Sequence, residues 1–216
     1  MMDHVLDRIL EEKIIAIVRG ISSSQITLLA EALQAGGIHC IEVTFDQSSS
    51  EGQADTLASI RSLCKQFGST ACIGAGTVMT TEQVRLAAEA GAEYMISPNV
   101  SEAVIRETKR LGKISIPGAM TPSEIVHAYE LGADIVKVFP CASLGPSYIK
   151  AIKAPLKHIP ITAVGGVTVE NCAEFIKAGA VGVGAGGNLV SAKLVAEGRL
   201  DEITATARAY ATALGR

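Results

Sequence analysis

Eight short apolar runs recur along this chain of 216 residues, each followed by a stretch of helical character. They are Ile14–Val18, Cys40–Phe45, Ala71–Ala75, Tyr94–Ser97, Ile114–Pro117, Ile135–Phe139, Ile161–Val164 and Val181–Ala185. Runs this brief and this continuously apolar read as strands buried on both faces, the kind found in parallel sheets. Their spacing, roughly 20 to 30 residues, admits one helix and two short connections per interval. The intervening stretches close on glycine, in Ala35-Gly36-Gly37, Ala90-Gly91-Ala92, Leu111-Gly112, Leu131-Gly132-Ala133 and Ala178-Gly179-Ala180. A glycine just past a helix supplies its left-handed terminal residue. Helix starts are legible too. Thr121-Pro122-Ser123-Glu124 reads as a capping box with proline at the first helical position, and Thr80-Thr81-Glu82-Gln83 as a second box.

Eight β/α units in alternation, with no linker or low-complexity stretch, predict an α/β protein of the (β/α)8 TIM-barrel type, a single domain over residues 1–216. The segment before Ile14 is then an extra N-terminal helix closing one end of the barrel. A doubly wound sheet is the alternative. The run Gly182-Val183-Gly184-Ala185-Gly186-Gly187 is not read as the dinucleotide fingerprint of such a sheet, which leads from strand to helix.

A net charge of −3 and a pI near 5.8 argue against nucleic acid or an anionic membrane surface as partner. No apolar run approaches the ~20 residues of a membrane span. The start, Met1-Met2-Asp3-His4-Val5-Leu6-Asp7-Arg8, is acidic and amphipathic, unlike a signal peptide. Five cysteines without a C-x-x-C pair predict reduced thiols and a cytoplasmic location. Four histidines without H-x-H or H-x-x-x-H spacing give no reason to expect a metal.

One lysine breaks the apolar pattern, in Asp134-Ile135-Val136-Lys137-Val138-Phe139-Pro140. An ammonium inside a buried strand loses its hydration, so it must be paired, neutralised or chemically used. A carboxylate breaks a second strand, in Cys40-Ile41-Glu42-Val43-Thr44-Phe45. Lys137 and Glu42 are therefore either a structural ion pair or one reacting centre. Alternation puts Ile135, Lys137 and Phe139 on one face of their strand, and Cys40, Glu42 and Thr44 on one face of theirs. If both faces line the barrel, the two charges converge.

In this fold the strand C-termini carry the active site. They supply Arg19, Glu42, the Gly74-Ala75-Gly76-Thr77 turn, Pro98, Pro117-Gly118, Lys137, Gly165-Gly166 and Gly186-Gly187. A desolvated lysine near the cation Arg19 loses proton affinity and attacks ketones at neutral pH, and the resulting Schiff base is an electron sink. Glu42 is the candidate general base. Thr77 and Arg19 offer donors to a substrate carboxylate, although Arg19 reads equally well as a surface residue. The glycine pairs after strands seven and eight lie where barrels bind phosphate on backbone N–H groups, with Asn188 as a further donor. Tight packing alone also explains such pairs.

Six motifs carry a resemblance: Ile41-Glu42-Val43-Thr44, Gly74-Ala75-Gly76-Thr77-Val78, Ile96-Ser97-Pro98, Ile116-Pro117-Gly118, Lys137-Val138-Phe139-Pro140 and Gly165-Gly166-Val167. In this order, over nearly the whole chain, they resemble the 2-keto-3-deoxy-6-phosphogluconate (KDPG) / 4-hydroxy-2-oxoglutarate (KHG) aldolase family. The resemblance implies a class I aldolase barrel that assembles as a homotrimer, with a small 2-oxo acid as substrate and no cofactor beyond the covalent Schiff base. It matches Lys137 to the Schiff-base lysine, Glu42 to the proton-shuttling glutamate and Thr77 to the threonine holding the pyruvate carboxylate. Pro98 and Phe139 match pocket walls. Three positions depart from the family pattern. Asp46 stands where an arginine is often found, Val164 where phosphogluconate-type members carry threonine, and Gly187 where the phosphate loop carries serine.

The expected reaction is cleavage of 2-dehydro-3-deoxy-6-phosphogluconate to pyruvate and glyceraldehyde 3-phosphate. The alternatives are 4-hydroxy-2-oxoglutarate, giving glyoxylate, and an unphosphorylated or epimeric 2-keto-3-deoxy sugar acid. A phosphate-sugar isomerase and a non-catalytic sugar-acid-binding barrel are the rivals outside that chemistry.

Overall fold

A computed structural model describes residues 2–216. The chain begins with α1 (Met2–Glu12) and continues through β1 (Ile14–Val18), α2 (Ile26–Ala35), β2 (Cys40–Thr44), α3 (Ser50–Phe67), β3 (Cys72–Gly76), α4 (Thr81–Glu89), β4 (Tyr94–Ile96) and α5 (Glu102–Arg110). The second half runs β5 (Ile114–Ile116), β6 (Gly118–Ala119), α6 (Pro122–Glu130), β7 (Val136–Val138), α7 (Gly145–Lys153), β8 (Ile161–Val164), α8 (Cys172–Lys177), β9 (Gly182–Ala185), α9 (Ala192–Ala196) and α10 (Leu200–Ala213).

All paired strands are parallel, in the order β5-β4-β3-β2-β1-β9-β8-β7-β6. The two ends of that order, β5 and β6, are consecutive in the chain and flank Pro117. Proline has no N–H to donate, so the ladder breaks there. Its carbonyl still accepts from the Lys137 N–H at 2.9 Å, and the sheet thereby curls into a nearly closed barrel of eight staves. This is the expected (β/α)8 architecture, with the fifth stave split. Glycines 182, 184 and 187 do have dinucleotide-fingerprint spacing. Two of them lie inside β9, however, and the next helix begins at Ala192, so the run forms no strand-to-helix turn.

Two apolar clusters follow from strands buried on both faces. The larger packs the outer strand faces against the helices, with Leu29, Leu33, Ile60, Ile125, Ile149 and Phe175 at most 1% exposed. Each such side chain contributes about 1.5–3 kcal/mol relative to exposure. The smaller cluster fills the barrel with Ile15, Cys40, Cys72, Tyr94, Ile96, Ile114, Ile116 and Ile135, and Val5 and Ile9 of α1 close its floor. Bidentate bonds from Arg216 to Glu12, at 2.6 and 2.9 Å, fasten the end of α1. The backbone N–H of His39 donates to the same carboxylate at 3.2 Å.

The glycine stops behave as expected: Gly37, Gly91, Gly112, Gly132 and Gly179 all have positive φ. Thr121 and Glu124 form the expected reciprocal box. The second box differs. Thr80 accepts from the Gln83 N–H at 3.1 Å, but the Gln83 side chain accepts from Met79 N at 2.7 Å rather than from Thr80.

Candidate active site

Alternation in β2 and β7 turns Glu42 and Lys137 inward, and the barrel brings them to the floor of a cavity of about 450 Å³. Its walls include the ten residues to which the sequence assigns a catalytic or substrate-binding role, Arg19, Glu42, Thr77, Pro98, Lys137, Phe139, Gly165, Gly166, Gly186 and Gly187, whereas Gly74, Ala75, Gly76, Pro117 and Gly118, also at strand ends, do not line it. Ile17, Val164, Val167, Gly184 and Asn188 complete the lining. Ile17, Val167 and Gly184 are apolar residues of the strands and turns with no chemical signature, so nothing in the sequence marks them as pocket walls.

Lys137 is 7% exposed and Glu42 is 2% exposed. Burial pushes the Lys137 ammonium below the ordinary lysine range; Glu42 opposes that shift and Arg19 adds to it. Burial pushes the Glu42 carboxyl up, against the pull of Lys137 and Arg19. Desolvation outweighs mutual attraction for both groups. Glu42 Oε2 is buried without a hydrogen-bond partner, and Lys137 Nζ lies 4.8 Å from the Phe139 ring centroid. A structural salt bridge would satisfy both groups. This arrangement leaves an amine and a carboxylate with unspent bonding capacity beside a cavity.

The glutamate has room because its neighbour is glycine. A Cβ on Gly76 would fall 1.8 Å from Glu42 Oε1. Just past Gly76, Thr77 has φ of +55°, a left-handed conformation unusual for a β-branched residue. Such a conformation costs on the order of 1–3 kcal/mol and marks positions held by their surroundings. Arg19 is exposed yet donates from Nη2 to Thr77 Oγ1 at 3.2 Å, so it faces the cavity as well as solvent.

The glycine pairs differ in kind. Gly165 and Gly166 have φ of +97° and +74°, and a Cβ on Gly166 would fall 2.2 Å from that of Ala142. Backbone shape requires both glycines. Gly187, in contrast, faces open space, with nothing within 4 Å of an added Cβ. Asn188 Nδ2 donates to the Val167 carbonyl at 2.9 Å, so that donor ties the two loops together rather than standing free in the cavity. Asp46 is exposed and accepts from the Ser48 N–H and hydroxyl at 2.8 and 2.6 Å, which hold its carboxyl below the usual range. Among the described residues, no group of three or more His, Cys, Asp or Glu side chains is gathered to hold a metal ion. No helix is long and apolar enough to cross a membrane, among the residues described.

A sequence model of KDPG and KHG aldolases matches residues 5–206. The chain belongs to that family. The 2-dehydro-3-deoxy-6-phosphogalactonate aldolase of Escherichia coli K12 is 37% identical over 202 residues, covering 93% of this chain and 96% of its own. The 2-dehydro-3-deoxy-phosphogluconate aldolase of Treponema pallidum is 35% identical over 82% of this chain and 81% of its own. Among solved structures, KDPG aldolase from Legionella pneumophila superposes with a TM-score of 0.85 at 26% identity, covering 97% of this chain and 98% of that one. That structure holds pyruvate captured at low pH as a covalent carbinolamine intermediate.

Proposed function

We propose that residues 1–216 form one catalytic domain, a class I aldolase that cleaves a 2-keto-3-deoxy-6-phospho sugar acid to pyruvate and glyceraldehyde 3-phosphate. The observation that carries this reading is the pairing of Lys137 and Glu42. A desolvated amine faces a desolvated carboxylate at the floor of an open cavity. Neutral Lys137 Nζ adds to the C2 ketone, and loss of water from the carbinolamine gives an iminium. Glu42 accepts the proton of the C4 hydroxyl, directly or through a water, as the C3–C4 bond breaks. The bonding electrons pass into the iminium, leaving an enamine on Lys137 and releasing the aldehyde. Protonation at C3 by Glu42 and hydrolysis then return pyruvate and the free amine. The iminium is the electron sink, so no metal or organic cofactor enters these steps.

Thr77 and Arg19 would hold the C1 carboxylate, and Pro98 and Phe139 would wall the pyruvate end. At the far end, backbone N–H groups around Gly165-Gly166 and Gly186-Gly187 would take the phosphate. For the configuration at C4, one observation favours the galactonate epimer over the gluconate. The phosphogalactonate aldolase of E. coli matches more of this chain, at higher identity, than the phosphogluconate enzyme of T. pallidum. The gluconate epimer is the second reading. Cleavage of 4-hydroxy-2-oxoglutarate ranks below both, since it would leave the glycine loops without a ligand.

Steady-state kinetics with pyruvate release coupled to lactate dehydrogenase tests this order. The phosphogalactonate should give the highest kcat/KM, followed by the phosphogluconate, then the unphosphorylated acids and 4-hydroxy-2-oxoglutarate. Equal turnover of phosphorylated and unphosphorylated acids would remove the phosphate subsite from the reading. The trimer that the family resemblance implies is checked by analytical ultracentrifugation.

A further inference from the structure

Thr77, in its left-handed conformation, is met by a chain of side-chain amides that runs from the loop after β2 to the first turn of α4. Gln47, in the loop after β2, donates from Nε2 to the Thr77 carbonyl at 2.7 Å. Its Oε1 accepts from Gln83 Nε2 at 3.0 Å. Gln83 Oε1 in turn accepts from the Met79 N–H at 2.7 Å. Each amide fits in one orientation only. Turning Gln47 over would set oxygen against the Thr77 carbonyl and NH2 against the Gln83 NH2, and turning Gln83 over would set NH2 against the Met79 N–H. The far end of the chain is firmly placed, since Gln83 is 4% exposed and its own N–H donates to the Thr80 hydroxyl at 3.1 Å.

Thr77 is thus fixed from both sides. Its carbonyl is held by Gln47 and its hydroxyl by Arg19, and the residue faces the cavity that holds Lys137 and Glu42. A β-branched residue keeps a positive φ only where neighbouring bonds over-determine it.

We propose that Gln47 and Gln83 are positioning residues, an amide relay that sets Thr77 to receive the carboxylate of a 2-oxo acid. Neither residue lines the cavity of Lys137 and Glu42, although Gln47 lines a neighbouring one that shares Arg19, and the relay reaches the site through Thr77. The identity of the ligand rests on the aldolase reading above; the relay itself does not.

The test uses the Gln47→Met variant, which keeps side-chain length without polar atoms or added charge. Gln47 is exposed, so folding is expected to survive. The first readout is the pyruvate concentration that half-saturates inactivation by borohydride, together with KM and kcat. Loss of the relay should raise half-saturation and KM about fivefold, as expected for one hydrogen bond, and leave kcat within about twofold. A double change, Gln47→Met with Gln83→Met, should raise half-saturation no further than Gln83→Met alone, since either break severs the same chain. A relay that only tethers loops would lower Tm without moving half-saturation, and half-saturation within twofold of wild type overturns the proposal. The second readout needs no ligand: a crystal structure of Gln47→Met should show Thr77 leaving positive φ. If wild type is not inactivated by pyruvate and borohydride, the aldolase reading fails and this second readout alone decides the relay. Thr77 retained at positive φ in the variant then overturns it.

Discussion

Burial drives Lys137 and Glu42 in the same sense, toward their uncharged forms, and this has consequences for stability as well as chemistry. Because the Glu42 pKa is raised on folding, its favourable contribution is present below the ordinary carboxylate value and is lost as pH rises through the raised one. Because the Lys137 pKa is lowered, its contribution is present above the ordinary lysine value and is lost as pH falls through the lowered one. At neutral pH both charges therefore weigh against folding. Lys137→Met removes one of them, and Glu42 can then take up a proton rather than stand alone as a buried anion. Thermal unfolding between about pH 6 and 8 should give a Tm no more than about 2–4 °C below wild type, or above it, while aldol cleavage falls by orders of magnitude. Glu42→Gln keeps shape and hydrogen bonding but cannot accept the C4 proton. Turnover should drop by about 10²–10⁴-fold with the iminium still forming. The acid limb of the wild-type kcat/KM profile should lie above the usual carboxylate range and disappear in this variant. Turnover within a few-fold of wild type would make Glu42 structural.

The elements around the site carry their own consequences. The loops after β8 and β9 face each other across the distal cavity, one shaped by Gly165-Gly166 and the other opening at Gly187. Since a side chain at 187 meets open space, and threonine is nearly isosteric with valine, Val164→Thr with Gly187→Ser restores two hydroxyl donors at small steric cost. A hydrogen bond to a charged group is worth about 1.5–3 kcal/mol, so KM for the phosphorylated substrate should fall tenfold or more. The value for 4-hydroxy-2-oxoglutarate should stay nearly constant. An equal change for both substrates would place the phosphate elsewhere. At the opposite end of the barrel, α1 is fastened through Glu12, which is 6% exposed and bonded to Arg216 and His39. Glu12→Ala takes away the carboxylate that Arg216 and the His39 N–H share, leaving the guanidinium only the main-chain carbonyls of Gly37 and residue 12, and urea unfolding should show a loss of about 1–3 kcal/mol. A loss under about 0.5 kcal/mol would mean that apolar contacts from Val5 and Ile9 alone hold the helix.

For the whole molecule, the barrel was legible because strands buried on both faces must be continuously apolar, and because glycine stops and threonine caps punctuate the helices between them. The convergence of Lys137 and Glu42 on one cavity was legible for the same reason: once strand C-termini converge, a lysine and a glutamate in two apolar runs have one place to meet. What sequence could not supply depends on contacts between distant side chains. Gln47 and Gln83 are 36 residues apart and Glu12 and Arg216 are 204 apart, and an exposed amide or a terminal arginine carries no periodic signal of its partner. The split of the fifth stave at Pro117 depends on which backbone groups the neighbouring strands offer. Asn188 could be placed near the glycine loops from its position, but not its bond to the Val167 carbonyl. The chemistry assigned to the barrel nevertheless converges on a single atom, Lys137 Nζ. The most direct measurement is peptide mapping by mass spectrometry after borohydride reduction in the presence of pyruvate. A reduced pyruvyl group on the peptide containing Lys137, absent without pyruvate and absent in Lys137→Met, is the predicted result; no incorporation, or incorporation at Lys113 or Lys153 instead, would contradict it.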